Sequence, residues 1–194
     1  MGSARTAAVI WVLGATVYLV CEAVAAAGFP GYSYLADYIS DLGVSDVMNV
    51  GAFVVHGILF GLAAVVSARG CAATAARVFV VAAVANTVGN VLVGTFHSGA
   101  PDARWHVVGA GLAIVGGNVA AIAAGFAGRA LRAPSWALRT SFALGTFGLV
   151  CLTTLIIDGA TGSRVLPAGL VERGSVYPII AWEVLAGVTL LRRR

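Results

Sequence analysis

The chain has 194 residues, is 60% hydrophobic and only 10% charged, and has a mean hydropathy of +0.96. Soluble domains are about 45–50% apolar and about 25% charged, so a single water-facing core of this size is excluded and the bilayer is read as the solvent. All 12 basic residues are arginine and the net charge is +4; topology accounts for those arginines below, which excludes nucleic acid as a partner.

The first apolar run, about 7–27, follows Arg5 as the core of a signal peptide would. Its length, about 20 residues, suits a retained spanning helix better than a cleaved leader. Glu22 lies in it. The segment "YSYLADYISDLGVSD", Tyr32–Asp46, then places Asp37, Asp41 and Asp46 together with no basic residue. It reads as a lid, with Asp37 and Asp41 facing the mouth of a pocket. The local alternative is capping: "SDLG" suits a turn, and Ser40, Asp41 or Ser45 suits a helix N-terminus. The second run, about 47–68, has Asn49 and His56 on one face. The third, about 73–95, has Asn86 and Asn90, four apart and so also sharing a face. His97 and Asp102 follow in a loop. The fourth run, about 106–128, opens with His106 and carries Asn118; its small residues Gly109, Gly117 and Ala121 suit close helix approach. The fifth is about 137–157. After Arg164, Glu172 and Arg173 comes the sixth and shortest, about 175–191, with Tyr177, Trp182 and Glu183.

Each run can cross a hydrocarbon layer of about 30 Å at about 1.5 Å per residue. None shows the period-2 alternation of a barrel strand, and no internal repeat is visible. The predicted fold class is therefore all-α: a polytopic six-transmembrane-helix bundle forming one domain over 1–194. Cys21, Cys71 and Cys151 lie in or beside apolar runs with no ligand spacing, as small buried hydrophobes would.

Arginine sets the expected orientation. Arg5, Arg69, Arg77, Arg129, Arg132, Arg139, Arg192, Arg193 and Arg194 fall on one side, and Arg104, Arg164 and Arg173 on the other, nine against three. The first side is then cytoplasmic, with both termini inside. Richness in alanine, arginine, glycine and valine without lysine points to a bacterial inner membrane. Asp37, Asp41, Asp46, Asp102, Asp158 and Glu172 all fall on the outer side, an asymmetry that orientation does not need.

Polar groups inside a bilayer are costly and are functional candidates by default. Counting from the outer interface at the helical rise gives depths of about 8 Å for Glu22 and Asn90, about 12–15 Å for Glu183, Asn86 and His56, and about 20 Å for Asn118. All lie in the outer half or near the middle. This suggests one outward-opening cavity, with Asp37, Asp41, His97, His106, Arg164, Glu172 and Arg173 over its mouth. The alternative is that these groups hydrogen-bond between helices and hold the bundle together, at about 0.6 kcal/mol each. Convergence of Glu22 and Glu183 on one chamber with aromatic walls would favour an enzyme; separate helix contacts would favour structure.

Several segments carry a resemblance: "ISDLG" at Ile39–Gly43, "NVGAFVVHGILFG" at Asn49–Gly61, "VGTFHSG" at Val93–Gly99, "HVVGAGLAIVGGNVAAI" at His106–Ile122 and "ERGSVYPIIAWEVLAG" at Glu172–Gly187. In this order they resemble the small six-helix bacterial and archaeal membrane proteins grouped as domain of unknown function 998. The resemblance implies the six-helix fold and no activity. Its motif positions carry over to Ser40, Asp41, Gly43, Asn49, Gly57, His106, Asn118, Glu172 and Arg173.

The chemistry expected first is an enzyme acting on an isoprenoid or other lipid. A carboxylic acid in an apolar pocket stays protonated and can act as a general acid. Glu22, Asp41, Glu183 and His106 are the acid–base candidates. Asp37, Asn49, His56, Asn86, Asn90, His97, Asn118, Glu172, Arg173, Tyr177 and Trp182 are the substrate-binding ones. Aromatic rings such as Trp105, Trp182, Tyr177 and Phe96 would stabilise a carbocation, the logic of integral-membrane terpene cyclases, though no motif is shared. The alternatives are a lipid-binding or accessory membrane protein, and a head-group hydrolase or transferase in which Asp37 and Asp41 hold a divalent cation with Arg164 or Arg173 as clamp. No cofactor is expected otherwise. The spacing of His56, His97 and His106 matches no zinc motif, and HExxH, GxSxG and phosphate-cradling loops are absent. The partners expected are the bilayer and an apolar small molecule or lipid.

Overall fold

A computed structural model of the protein describes residues 2–130, 133–164 and 166–192. Among them are six long helices and no strand: α1 (Gly2–Ala27), α2 (Val47–Ala68), α3 (Thr74–Thr95), α4 (Ala103–Ala130), α5 (Ser135–Thr161) and α6 (Ala168–Leu191). All six are long and apolar enough to cross a membrane. Long runs dominated by alanine, valine, leucine and glycine drive them, since each must satisfy its own backbone in lipid. Punctuation ends them: Pro134 and Pro167 precede α5 and α6, and Gly162, at φ 69°, turns the chain after α5 with its N–H on the Asp158 carbonyl.

Two elements depart from the sequence expectation. α6 begins at Ala168, seven residues before 175, so Glu172 and Arg173 stand on its first turns rather than in a loop. Their charge hid the helix start from a hydropathy reading. The first half of α2, Val47–Val55, is π-helical, and only His56–Ala68 is α-helical. The i→i+5 pattern rotates successive side chains differently from an α-helix. Asn49 and His56, expected on one face, consequently serve different partners.

Small residues set how closely helices approach. A Cβ at Gly89 on α3 would lie 2.3 Å from the Ala113 backbone nitrogen on α4. Gly109 meets Gly89 and Leu92 of α3 in the same way, and Gly117 meets Ile179 of α6, as the small-residue stripe led one to expect. The apolar core has two parts. One, around Trp11, Phe60, Phe79 and Trp182, lies toward the end that holds Gly2, Arg69 and Leu191, here called the arginine end. The other, around Tyr18, Ile39, Leu42, Met48 and Phe53, lies toward the acidic end, closed by the 3-10 turn Ile39–Val44.

Of the arginines counted for orientation, Arg132, Arg193 and Arg194 lie outside the described residues, as does the side chain of Arg129. Arg5, Arg69, Arg77, Arg104, Arg139, Arg164 and Arg192 are exposed. Arg173 is the exception: it is 6% exposed and sits inside the bundle.

Candidate functional site

A chamber lies beneath the Ile39–Val44 turn. Ile39, Ser40 and Glu172 line its roof, Tyr18, Phe53, Ile179 and Ile180 its apolar walls, and His56, Asn86, Asn90 and His106 its polar faces. Its volume is about 50 Å³. A water needs roughly 10–15 Å³ on this measure, so the chamber holds a few waters or the end of a molecule. It is far below the roughly 300–1,000 Å³ of a drug-sized ligand site.

His56, which lines this chamber, is paired with Glu183, which does not. His56 Nε2 lies 2.6 Å from Glu183 Oε1, and both side chains are buried. A contact this short requires a proton between the two atoms. In a low-dielectric interior the pair is favoured as a neutral unit. Whether written as imidazolium with carboxylate or as imidazole with carboxylic acid, that neutral unit carries a second proton on Nδ1. Nδ1 and Glu183 Oε2 find no hydrogen-bond partner among the described residues. Gly14 on α1 makes room for the pair, since a Cβ there would lie 3.0 Å from Glu183 Oε2 and 3.6 Å from His56 Cδ2. The ring edge bearing Cδ2 thus faces α1, and Nδ1 lies on the opposite edge. Tyr18 packs edge-on to His56 at 5.1 Å between ring centroids.

His106 faces the same chamber with the opposite polarity. Its Nδ1 lies 2.8 Å from the Phe96 carbonyl, which accepts only, so Nδ1 carries the proton. In the neutral ring Nε2 is then an acceptor. Asn86, whose Nδ2 donates to the Ala113 carbonyl at 2.7 Å, and Asn90, whose Nδ2 donates to Asn86 Oδ1 at 3.1 Å, line the same chamber. Glu172 holds the roof by accepting the Ile39 N–H.

Glu22 belongs to a second, separate network. Arg173 Nη2 donates to Glu22 Oε1 at 3.0 Å, and the Tyr177 hydroxyl lies 3.0–3.1 Å from both carboxylate oxygens. Arg173 Nη1 donates to the backbone carbonyls of Tyr34, Asp37 and Gly169. Nη2 also reaches the Tyr32 hydroxyl, which donates onward to the Tyr38 carbonyl at 2.8 Å. Burial pushes the Tyr32 hydroxyl's pKa up, against the opposing pull of Arg173, so it remains a neutral donor. The guanidinium carbon lies 4.7 Å from the Tyr34 ring centroid. This network ties the Tyr32–Tyr38 loop to α1 and α6.

The remaining candidates divide the same way. Asp37 and Asp41 are not among the residues that line the chamber. Asp37 Oδ2 accepts the Ser33 N–H at 2.8 Å and Asp41 Oδ2 the Tyr38 N–H at 2.9 Å, the local capping arrangement, so each holds its own loop. Asn49 Nδ2 bonds the Gly43 carbonyl and His97 Nδ1, away from the residues that line the chamber. Asn118 staples α4 to α6 through the Ser175 carbonyl. Trp182 lies in the arginine-end core, 5.1 Å from Trp11 between centroids, with Nε1 on Ser141 Oγ. Although next to Glu183 in sequence, it points about 100° around the helix from it. Among the described residues no three His, Cys, Asp or Glu groups come close enough to hold a metal ion. Sequence reasoning missed Tyr18, Tyr32 and Tyr34. Tyr18 was detectable, being one turn before Glu22 on the same face of α1.

A family model described as "Protein of unknown function (DUF998)" matches residues 12–189, and the chain belongs to that family. No curated protein and no solved structure matches it.

Proposed function

We propose that this DUF998 member is a membrane-embedded acid–base enzyme acting on an isoprenoid or other lipid, with His56–Glu183 and His106 as the working groups. The observation that carries the reading is the buried His56–Glu183 pair at the chamber, 2.6 Å apart with Nδ1 unpartnered among the described residues. A carboxylate that orients an imidazole, whose other nitrogen is free, is the arrangement of a general acid or base. The neutral pair offers a proton at His56 Nδ1; when it leaves, the remaining proton rests on Nε2 and the pair is anionic, with the negative charge on Glu183 until a proton returns. His106 Nε2 accepts one. A proton delivered at one atom of a substrate and removed at another is an isomerisation or elimination, chemistry that suits an unsaturated chain. Tyr18 and Phe53 supply the ring faces that would stabilise cationic character. The chamber's size means that only the reacting end enters, and the Ile39–Val44 roof would move for more. Glu22 and Asp41, first expected as acid–base groups, have no part in this scheme because both are committed to structural hydrogen bonds.

A second reading, a non-catalytic lipid-binding or accessory protein, is favoured by that small volume and by the number of polar groups used to tie helices together. For both readings the arginine bias proposes cytoplasmic termini in a bacterial inner membrane, which a reporter fused after Arg194 would check. The deciding experiment compares lipid extracts of membranes containing wild type, His56→Gln, Glu183→Gln or His106→Gln by untargeted mass spectrometry. The enzyme reading expects one lipid species to accumulate, and a second to vanish, in all three variants. Folded variants with unchanged lipid profiles would overturn it in favour of the accessory reading.

A further inference from the structure

The arginine end of the bundle holds a second cavity, of about 180 Å³, distinct from the chamber. Its walls come from α1, α2, α3, α4, α5 and α6, with Trp11, Phe79 and Trp182 at its deep end and Ala4, Ser67 and Cys71 toward the surface. An apolar cavity of about 150 Å³ accommodates a benzene-sized molecule, so this one has room for a real ligand. It is not purely apolar. Trp11 is 3% exposed and Thr189 8%, and neither the Trp11 indole N–H nor the Thr189 hydroxyl finds a partner among the described residues. Both residues line the cavity.

Among the described residues, the Thr189 hydroxyl is the one buried hydroxyl left without a partner. Thr16, Thr87, Thr95 and Thr153 each turn the hydroxyl onto the carbonyl four residues back, at 2.7–3.0 Å, which is the cheap way to satisfy it in a helix. Thr189 makes no such bond. Trp11 Nε1 can only donate, so its missing partner must be an acceptor. Its neighbour Trp182 shows what a satisfied indole looks like here, with Nε1 on Ser141 Oγ at 3.1 Å.

From these observations we infer that the arginine-end cavity is a binding site for a lipid-soluble molecule that brings a carbonyl-type acceptor oxygen to Trp11 Nε1 and Thr189 Oγ1. The aromatic and alanine walls take the apolar body. An unmade hydrogen bond on a buried donor costs more than a made one returns, which favours an oxygen-bearing occupant over a pure hydrocarbon. A ketone, an ester and a quinone share this chemistry. The site is independent of the chamber and of the reaction proposed for it.

The test uses the full chain in lipid nanodiscs with 2-decanone, isotopically labelled at the carbonyl, as probe and decane as the acceptor-free control. Decanone should raise the unfolding temperature and decane should not, and the infrared carbonyl stretch of bound probe should move to lower frequency. Trp11→Phe keeps the ring and removes the donor; Thr189→Val keeps the shape and removes the hydroxyl. Each should weaken decanone binding about fivefold, the effect of one neutral hydrogen bond, and Trp11→Phe should abolish most of the frequency shift. Equal stabilisation by decane and decanone, no binding of either, or decanone binding unchanged in both folded variants would overturn the inference and leave a cavity whose donors are served by water.

Discussion

Glu22 and Glu183 are both carboxylates buried on spanning helices, at 1% and 0% exposure, and they are treated in opposite ways. Around Glu22 both oxygens lie within reach of a donor: Arg173 Nη2 on one and the single Tyr177 hydroxyl proton shared between the two, with Arg173 Nη1 spread over three backbone carbonyls and Arg173 Nε left without a partner among the described residues. Around Glu183 one oxygen shares a proton with His56, and the other rests against Gly14 with no donor. A network whose carboxylate oxygens are both met holds a loop to two helices and offers a substrate little. An unsaturated pair beside a cavity is worse as glue and better as chemistry, since strain and unmet polarity concentrate where function needs them.

The largest effect that would sharpen this contrast is Arg173→Met. It strands the Glu22 carboxylate and frees the Tyr34, Asp37 and Gly169 carbonyls together. Losing one partner of a buried ion pair costs about 3–5 kcal/mol, so the variant should lose folded protein in detergent, measured by thermal unfolding or size-exclusion recovery. A tolerated Arg173→Met would remove the structural half of the comparison. Next is Gly89→Ala, which forces α3 and α4 apart where their backbones meet; overpacking of this kind costs about 1–3 kcal/mol and should lower the unfolding temperature without altering lipid profiles. The smallest is His97→Ala. His97 is exposed and bonds only Asn49 among the described side chains, so a change within about 0.5 kcal/mol is expected, as for surface substitutions generally. A large loss there would mean that the Asn49 corner matters more than the Glu22 network suggests.

How far the sequence reaches follows the same division. Six apolar runs specify six spans because the bilayer leaves the backbone no alternative, and polar residues set below the surface mark where the interior is not lipid-like. His56, Asn86, Asn90, His106 and Glu172 do meet at one chamber. Pairing was not legible. Arg173 and Glu22 are 151 positions apart and on paper both belong to the pocket; only tertiary packing shows each neutralising the other. Trp182, though a neighbour of Glu183 in sequence, lies on another face of the helix, in the arginine-end core. Asp37 and Asp41 were ambiguous because a carboxylate serves a cap and a mouth equally well, and the loop amides of Ser33 and Tyr38 took them. The π-helical turn in α2, which separates Asn49 from His56, has no marker in composition.

The most direct test of the two-carboxylate account is the unfolding temperature of Glu22→Gln and of Glu183→Gln, measured side by side in one detergent. The first removes a charge from an ion pair whose carboxylate oxygens are both met, where hydrogen bonds to charged groups contribute about 1.5–3 kcal/mol each, and a clear drop is expected. The second removes an ionisable group whose burial is only half compensated, and the account predicts an unfolding temperature close to wild type or above it. A stable Glu22→Gln beside a strongly destabilised Glu183→Gln would contradict the account and make His56–Glu183 the structural tie instead.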